Sequence, residues 1–184
     1  MADDADAVNL ALLLLRVTVG AVMLAHGVNH VVGGGRIAGT ARWFESLGMR
    51  PGRVHAWLAS GTEIGAGTLL LLGLLTPVAA AGVVGVMVVA WIANHAGHGF
   101  FIFRPGEGWE YVMTLAAVGL CIGVLGPGEW SVDGALDLVD DLAGWTGLAV
   151  VLVAGVGGAA LLLATTWRPA SGIPRRRSRR GTAR

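Results

Sequence analysis

Long apolar blocks alternate with short polar gaps along this chain, and almost every charged residue lies in a gap. A helix needs about 20 residues to cross the hydrocarbon core of a bilayer, which is roughly 30 Å thick. Five apolar blocks have about that length, and each therefore predicts a membrane-spanning helix. The predicted spans lie near 8–32, 54–75, 77–98, 109–126 and 145–167.

Only a few residues separate the second and third predicted spans, which predicts a tight helical hairpin. We expect the turn to run from Gly73 to Pro77, with Thr76 as the N-cap of the third span and Pro77 at its first helical position. A Gly-Pro-Gly sequence at 126–128 ends the fourth span, because proline interrupts a helix.

Two shorter segments, 36–49 and 133–144, are amphipathic rather than apolar all round. Helices of this kind lie on the membrane surface instead of crossing it. In 36–49, Arg36 and Arg42 lie opposite an apolar face formed by Ile37, Ala41, Phe44 and Leu47. In 133–144, the aspartates Asp133, Asp137, Asp140 and Asp141 lie opposite an apolar face formed by Leu136, Val139 and Leu142.

These elements predict an all-α, polytopic membrane protein with three parts. Residues 1–133 are expected to form a four-helix bundle, and 134–167 an interfacial helix followed by a fifth spanning helix. Residues 168–184 read as a disordered, Arg-rich tail. The composition agrees with a membrane class, since 54% of the residues are hydrophobic and 14% are charged, whereas soluble domains carry about 25% charged residues.

The charge distribution predicts the orientation in the membrane. All 13 basic residues are arginines, and only Arg16 lies inside a predicted span. If the N-terminus lies outside, the gaps at 33–53 and 99–108 and the C-terminal tail are cytoplasmic and hold the other arginines. Topology and attraction to lipid headgroups explain this tail with fewer assumptions than nucleic-acid binding, so no nucleic-acid partner is expected.

Arg16 and Glu63 are charged residues within predicted spans, where each charge costs about 2.5–3.5 kcal/mol on insertion scales. Their expected depths differ by less than an arginine side chain can bridge, which predicts an ion pair in the bundle interior. Two interpretations stay open at this point. The pair is either a structural clasp, or Glu63 is a functional carboxylate whose protonation Arg16 controls.

A second cluster of polar residues is expected near the cytoplasmic ends of the spans. His26 and His30 have i,i+4 spacing, His95 and His98 have i,i+3 spacing, and Glu110 opens the fourth span at the same depth. Neither histidine pair has a full ligand motif, so no metal site is predicted. A hydrogen-bonded pocket for a quinone, haem ligation and purely structural roles remain alternatives.

Gly61 and Gly65 form a GxxxG pair around Glu63, which predicts close helix packing there. His55 gives no interpretable signal. Cys121 is the only cysteine, so the chain cannot form a disulfide or a redox-active dithiol of its own.

Five sequence blocks together resemble the DoxX family of small bacterial membrane proteins, over about residues 10–133. They are LLRVTVGAVMLAHGVNHV, TEIGAGTLLLLGLLTPVAA, HAGHGFF, GWEYVMTLAAVGL and LGPGEWSVD. The resemblance implies a four-helix core in the bacterial cytoplasmic membrane, with residues 134–184 as an extension. It also implies links to quinone-dependent sulfur and oxidative-stress chemistry. The family-like polar positions are Arg16, His26, Glu63, His95 and Glu110.

Three functions are compatible with these residues. The leading hypothesis is a membrane subunit of a redox complex, in which Glu63 and Glu110 handle protons. In this hypothesis His26 and His95 hydrogen-bond a quinone carbonyl, and Arg16 tunes Glu63. Its cofactor is unidentified, with quinone as the candidate, and its partners are other subunits or copies of itself. The alternatives are a non-enzymatic scaffold that binds a partner through arginine-rich surfaces, and a small proton-coupled transporter.

Overall fold

The computed structural model describes residues 2–169, which fold into helices joined by short loops. Apart from one isolated bridge between Met49 and Trp167, these residues contain no β-structure, so the all-α prediction is confirmed. The helices are α1 (Ala2–Val32), α2 (Arg36–Ser46), α3 (Gly52–Leu72), α4 (Thr76–Ala90), α5 (Glu110–Leu125), α6 (Val132–Ala135), α7 (Val139–Leu142), α8 (Gly144–Val150) and α9 (Gly158–Thr166).

Two π-helical segments extend or join these helices. Trp91–His95 continues α4, and Val151–Gly157 joins α8 to α9. The resulting continuous helix Gly144–Thr166 is here called the C-terminal helix. Within residues 2–169 it is one of three helices that are long and apolar enough to cross a membrane. The other two are Asp4–Val32 and Thr76–His95. Helix α5 is apolar but shorter, and α3 has 21 residues but includes His55 and Glu63.

Helices α1 and α3 pack closely and run antiparallel, because small residues let their backbones approach. A Cβ atom at Gly20 would lie 2.9 Å from the Gly67 carbonyl oxygen, and one at Gly27 would lie 2.9 Å from Glu63 Cβ. These contacts fix the register of the two helices. Residues near position 27 of α1 therefore lie beside Glu63, while residues near position 16 lie beside the C-terminal end of α3.

The glycine pair that was predicted to bring helices together does not do so within the described residues. Cβ atoms at Gly61 and Gly65 would meet no atom within 4 Å, because both residues lie on the exposed face of α3. Close packing beside Glu63 comes from Gly27 on α1 instead. GxxxG spacing identified a small-residue face, but not the face that contacts the neighbouring helix.

The remaining helices complete the bundle around a large apolar core and a smaller apolar cluster beneath α2. Helix α4 packs against α3 and α5, α5 contacts α1, and the C-terminal helix packs on α4 and α5. Helix α2 lies across α3 and α1 and buries Ala41 and Phe44 against the bundle, while its predicted position on the membrane surface stays a prediction. The buried core includes Val19, Met23, Leu70, Val83, Val84, Met87, Ile122 and Val151.

The α3–α4 hairpin has the predicted tight turn but a different cap. Gly73 and Leu75 have left-handed backbones, with φ values of 64° and 48°, and Leu75 rather than Thr76 occupies the N-cap position of α4. Fully buried Asp133 supplies the cap. Its Oδ1 atom accepts from Leu75 N–H at 2.8 Å, and its Oδ2 atom accepts from the N–H and hydroxyl of Thr76, both at 3.0 Å.

Because Asp133 turns inward, the single amphipathic helix predicted over 133–144 does not form. Two four-residue helices, α6 and α7, replace it. Asp137 lies between them with a φ of 58°, and Leu136 is exposed rather than buried. The sequence pattern predicts one polar face that includes all four aspartates, whereas Asp133 is buried and caps α4.

Residues at the end of the C-terminal helix are hydrogen-bonded to the turn between α2 and α3. Trp167 Nε1 donates to the Leu47 carbonyl oxygen at 2.9 Å, and Arg168 N–H donates to the Gly48 carbonyl oxygen at 2.8 Å. The C-terminal helix thus closes one side of the bundle. The rest of the predicted Arg-rich tail, 170–184, lies outside the described residues.

Candidate functional site

A cavity of about 560 Å³ lies between α3, α4 and the C-terminal helix, is bordered by α2, and reaches α1 and α5. Its wall on α4 and the following π-helical turn extends from Val78 to His95, a rise of about 25 Å. Most lining residues are apolar. The polar side chains in the wall are His26, His30, His55, Thr62, Glu63, Asn94, His95, Glu107 and Tyr111.

Glu63 and His30 face each other in this wall. Glu63 is 4% exposed, and its Oε2 atom lies 3.0 Å from His30 Nδ1. The ring is not oriented for a hydrogen bond, and within residues 2–169 neither atom has a hydrogen-bond partner. A buried carboxylate oxygen without a donor is costly. The pair is therefore suited to a polar atom supplied by a ligand.

His95 lies at the end of the π-helical turn and already has partners for both ring nitrogens. Its Nδ1 atom donates to the Glu107 carbonyl oxygen at 2.7 Å, since a carbonyl can only accept. Its Nε2 atom then accepts from Asn94 Nδ2 at 3.2 Å. These bonds orient the ring in the cavity wall and attach the 99–109 loop to the bundle.

His26 and Tyr111 form the rim of the cavity between α1 and α5. Their ring centroids lie 6.2 Å apart, and both side chains are more than one-third exposed. The cavity is therefore open to the surroundings of the bundle at this rim.

His55 is a cavity residue that the sequence analysis did not identify. It is 3% exposed, its ring packs on Phe44 at 6.1 Å, and its Nε2 atom has no hydrogen-bond partner among the described residues. A usable signal was present in the spacing. His55, Ala59 and Glu63 follow one another at i,i+4 on α3, so they share one face of the helix.

Arg16 lies far from the cavity, and the predicted Arg16–Glu63 ion pair is wrong. Arg16 Nη2 donates to the Trp130 carbonyl oxygen at 2.6 Å, and Nη1 lies 3.5 Å from the Leu70 carbonyl oxygen. Because Gly27 marks the level of Glu63, Arg16 is eleven residues and about 16 Å away along α1. Its guanidinium occupies the space where Gly73 has no side chain.

Two further predicted site residues also lie outside the cavity wall. Glu110 Oε2 accepts from the Ile102 N–H at 3.2 Å, which directs this carboxylate to the 99–109 loop. His98 is exposed and lies against Gly106 in the same loop. Of the predicted set, the fold brings together His26, His30, Glu63 and His95. No three His, Cys, Asp or Glu side chains of residues 2–169 are grouped as metal ligands.

Comparison with known proteins identifies a family domain in the first half of the chain. Residues 11–96 match the family model described as DoxX. No curated protein and no solved structure matches the chain. The matched stretch includes His26, His30, His55, Glu63 and His95. Tyr111 and the C-terminal helix lie beyond it.

Proposed function

The chain belongs to the DoxX family through its domain at residues 11–96 and is a multi-pass membrane protein, and from this premise we propose that it is the quinone-binding membrane subunit of a redox complex. The observation that carries the proposal is the buried pair of Glu63 Oε2 and His30 Nδ1 in the wall of an apolar cavity. Sites for small organic ligands have this character, with few polar groups in an apolar wall.

The chemistry of the wall suits a quinone. A quinone takes up two electrons and two protons when it is reduced. Glu63 is placed to give a proton to an oxygen atom bound beside it, and His30 is close enough to return a proton to the carboxylate. His95 positions the wall through its bonds to Glu107 and Asn94, while His26 lies on the entry path. Arg16, His98 and Glu110 have no part in this proposal.

The electrons must come from another molecule, which we propose to be a partner subunit with its own redox centre. This chain has one cysteine and cannot cycle between a dithiol and a disulfide by itself. The aromatic loop with Phe101, Phe103 and Arg104 adjoins His95 and is exposed. A partner bound on that side of the bundle would approach the cavity without crossing the lipid-facing surface.

We further propose five membrane crossings in the bacterial cytoplasmic membrane, with the N-terminus outside. Helix α3 packs antiparallel to α1 over at least the stretch from Gly67 to Glu63, which supports a crossing by α3 despite its polar residues. Helix α5 packs along α4 in the same bundle. The arginine distribution favours placing the end with α2 and the 99–109 loop in the cytoplasm.

The test is a titration of the purified full-length protein in detergent with a decyl-substituted para-benzoquinone, followed by tryptophan fluorescence. Trp43 lies in the cavity wall and provides a local signal. We expect saturable binding that weakens at least tenfold in Glu63→Gln. The matched control is Glu129→Gln, which changes an exposed carboxylate on a distant loop and should bind like the wild type. No saturable binding to the wild-type protein would refute the proposal.

A further inference from the structure

His55 is the second buried polar group of the cavity that has an atom without a partner. Like Glu63 it is more than nine-tenths buried, it lies in the cavity wall, and its Nε2 atom has no hydrogen-bond partner within residues 2–169. A histidine that serves only the apolar core normally finds a partner for each buried nitrogen. His55 therefore has the same open hydrogen-bonding capacity as the Glu63–His30 pair.

The positions of His55 and Glu63 on α3 set the distance between the two hydrogen-bonding groups. Eight residues of α3 separate His55 from Glu63, which corresponds to a rise of about 12 Å and a rotation of about 80°. Both side chains thus project from the same side of the helix. Ala59 and Thr62 lie between them in the wall, and their small side chains leave a shallow strip along α3.

We infer that His55 is a second hydrogen-bonding contact for the ligand, so that the cavity takes a flat molecule with one polar group at each end. This inference rests on the proposed quinone site and assigns its second end. In a para-quinone the carbonyl oxygens are roughly 5 Å apart, and two hydrogen bonds of about 2.8 Å extend the span to about 11 Å. That span is comparable to the rise between His55 and Glu63.

The surroundings of His55 favour this role. Phe44 packs on the imidazole ring at a centroid distance of 6.1 Å and restricts its rotation, which reduces the entropy lost when a ligand binds. Trp43, Leu47 and Met49 line the same end of the cavity. A ring with an apolar substituent is thus enclosed by apolar side chains, while its distal oxygen faces Nε2.

The test compares two ligands and two variants in the full-length protein. The ligands are a decyl-substituted para-benzoquinone, with an oxygen at each end of the ring, and 4-decylphenol, which has a single oxygen. His55→Phe preserves the ring packing on Phe44 but removes the hydrogen bond, and His55→Gln keeps a hydrogen-bonding group. We expect His55→Phe to weaken quinone binding about tenfold, the loss typical of one hydrogen bond.

We expect 4-decylphenol to bind His55→Phe as it binds the wild type, because its one oxygen is satisfied at Glu63 and His30. His55→Gln should recover part of the quinone affinity. If His55→Phe loses both ligands equally, or neither, the inference is overturned, since His55 then acts through packing or not at all. A wild-type protein that binds neither ligand refutes the proposed function itself, which is a different result.

Discussion

His30 Nδ1 on α1 lies 3.0 Å from Glu63 Oε2 on α3, at the level where Gly27 allows the two helices to approach. The two atoms are within hydrogen-bond distance, but the ring is not oriented for the bond, and each atom lacks a hydrogen-bond partner among residues 2–169. The effects of these two residues on a ligand bound beside them should therefore depend on each other. Substitutions at residues far from both should affect ligand binding independently of His30 and Glu63.

A double-mutant cycle measures this coupling. His30→Gln and Glu63→Gln should each weaken quinone binding, and the double variant should lose less than the sum by about 1 kcal/mol, because adjacent groups are not independent. The measurement is the dissociation constant of each variant from fluorescence titration. Arg16→Met combined with Glu63→Gln is the control cycle, and it should be additive within about 0.5 kcal/mol. Additivity in the first cycle would argue against a shared ligand contact.

Arg16 should contribute to stability without contributing to binding. Arg16→Met removes the donors to Trp130 and Leu70 and should destabilise the protein by about 2–4 kcal/mol. Gly73→Ala should act in the same direction, because its Cβ would collide with Nη1 of Arg16 and its φ is 64°. Thermal unfolding in detergent reports the loss. Quinone affinity of the Arg16→Met protein at low temperature should match the wild type, and a tenfold loss there would contradict this assignment.

Asp133 should be the most sensitive acidic residue of the 129–141 loop. Asp133→Asn loses at least one of the bonds to the start of α4 and should cost about 2–3 kcal/mol of unfolding free energy. Asp140→Asn changes an exposed residue nearby and should cost less than about 0.5 kcal/mol. Equal unfolding midpoints for the two variants would show that the cap is not needed.

The volume of the cavity should limit which quinones bind. Gly158 lies in the cavity wall, and a Cβ there would meet no atom within 4 Å. Gly158→Leu should therefore fold normally but occupy ligand space, weakening binding of a decyl quinone at least tenfold. Ala160→Leu adds the same bulk on the exposed side of the C-terminal helix and should leave binding unchanged. Weaker binding in both variants would indicate a general disturbance of this helix instead.

The positions of the helices could be predicted from the sequence, because apolar block length and turn residues are local signals. All five predicted spans correspond to helices whose ends differ by at most six residues, and the α3–α4 turn lies where expected. The register between helices could not be predicted in the same way. It depends on which small residues meet, here Gly20 with Gly67, and this register separates Arg16 from Glu63.

The candidate site was only partly predictable for the same reason. His26, His30, Glu63 and His95 were identified because polar residues inside apolar blocks are unusual. His55 and Asp133 were misjudged because both lie near segment ends, where polar residues are ordinary. Their significance comes from burial against distant parts of the chain, such as Asp133 against Thr76, 57 residues away.

The cap on α4 also imposes an order on biosynthesis. Leu75 and Thr76 leave the ribosome long before Asp133, and at about 5–20 residues per second the 57 residues between Thr76 and Asp133 take roughly 3–11 s to synthesise. During that interval the first N–H groups of α4 must bind water or lipid headgroups instead. The α3–α4 hairpin is thus inserted in an unfinished form, and it reaches its final stability only when α5 and the 129–133 segment have been translated. Translation pauses between residues 76 and 133 would prolong the time during which α4 has no cap, whereas pauses after residue 133 would not.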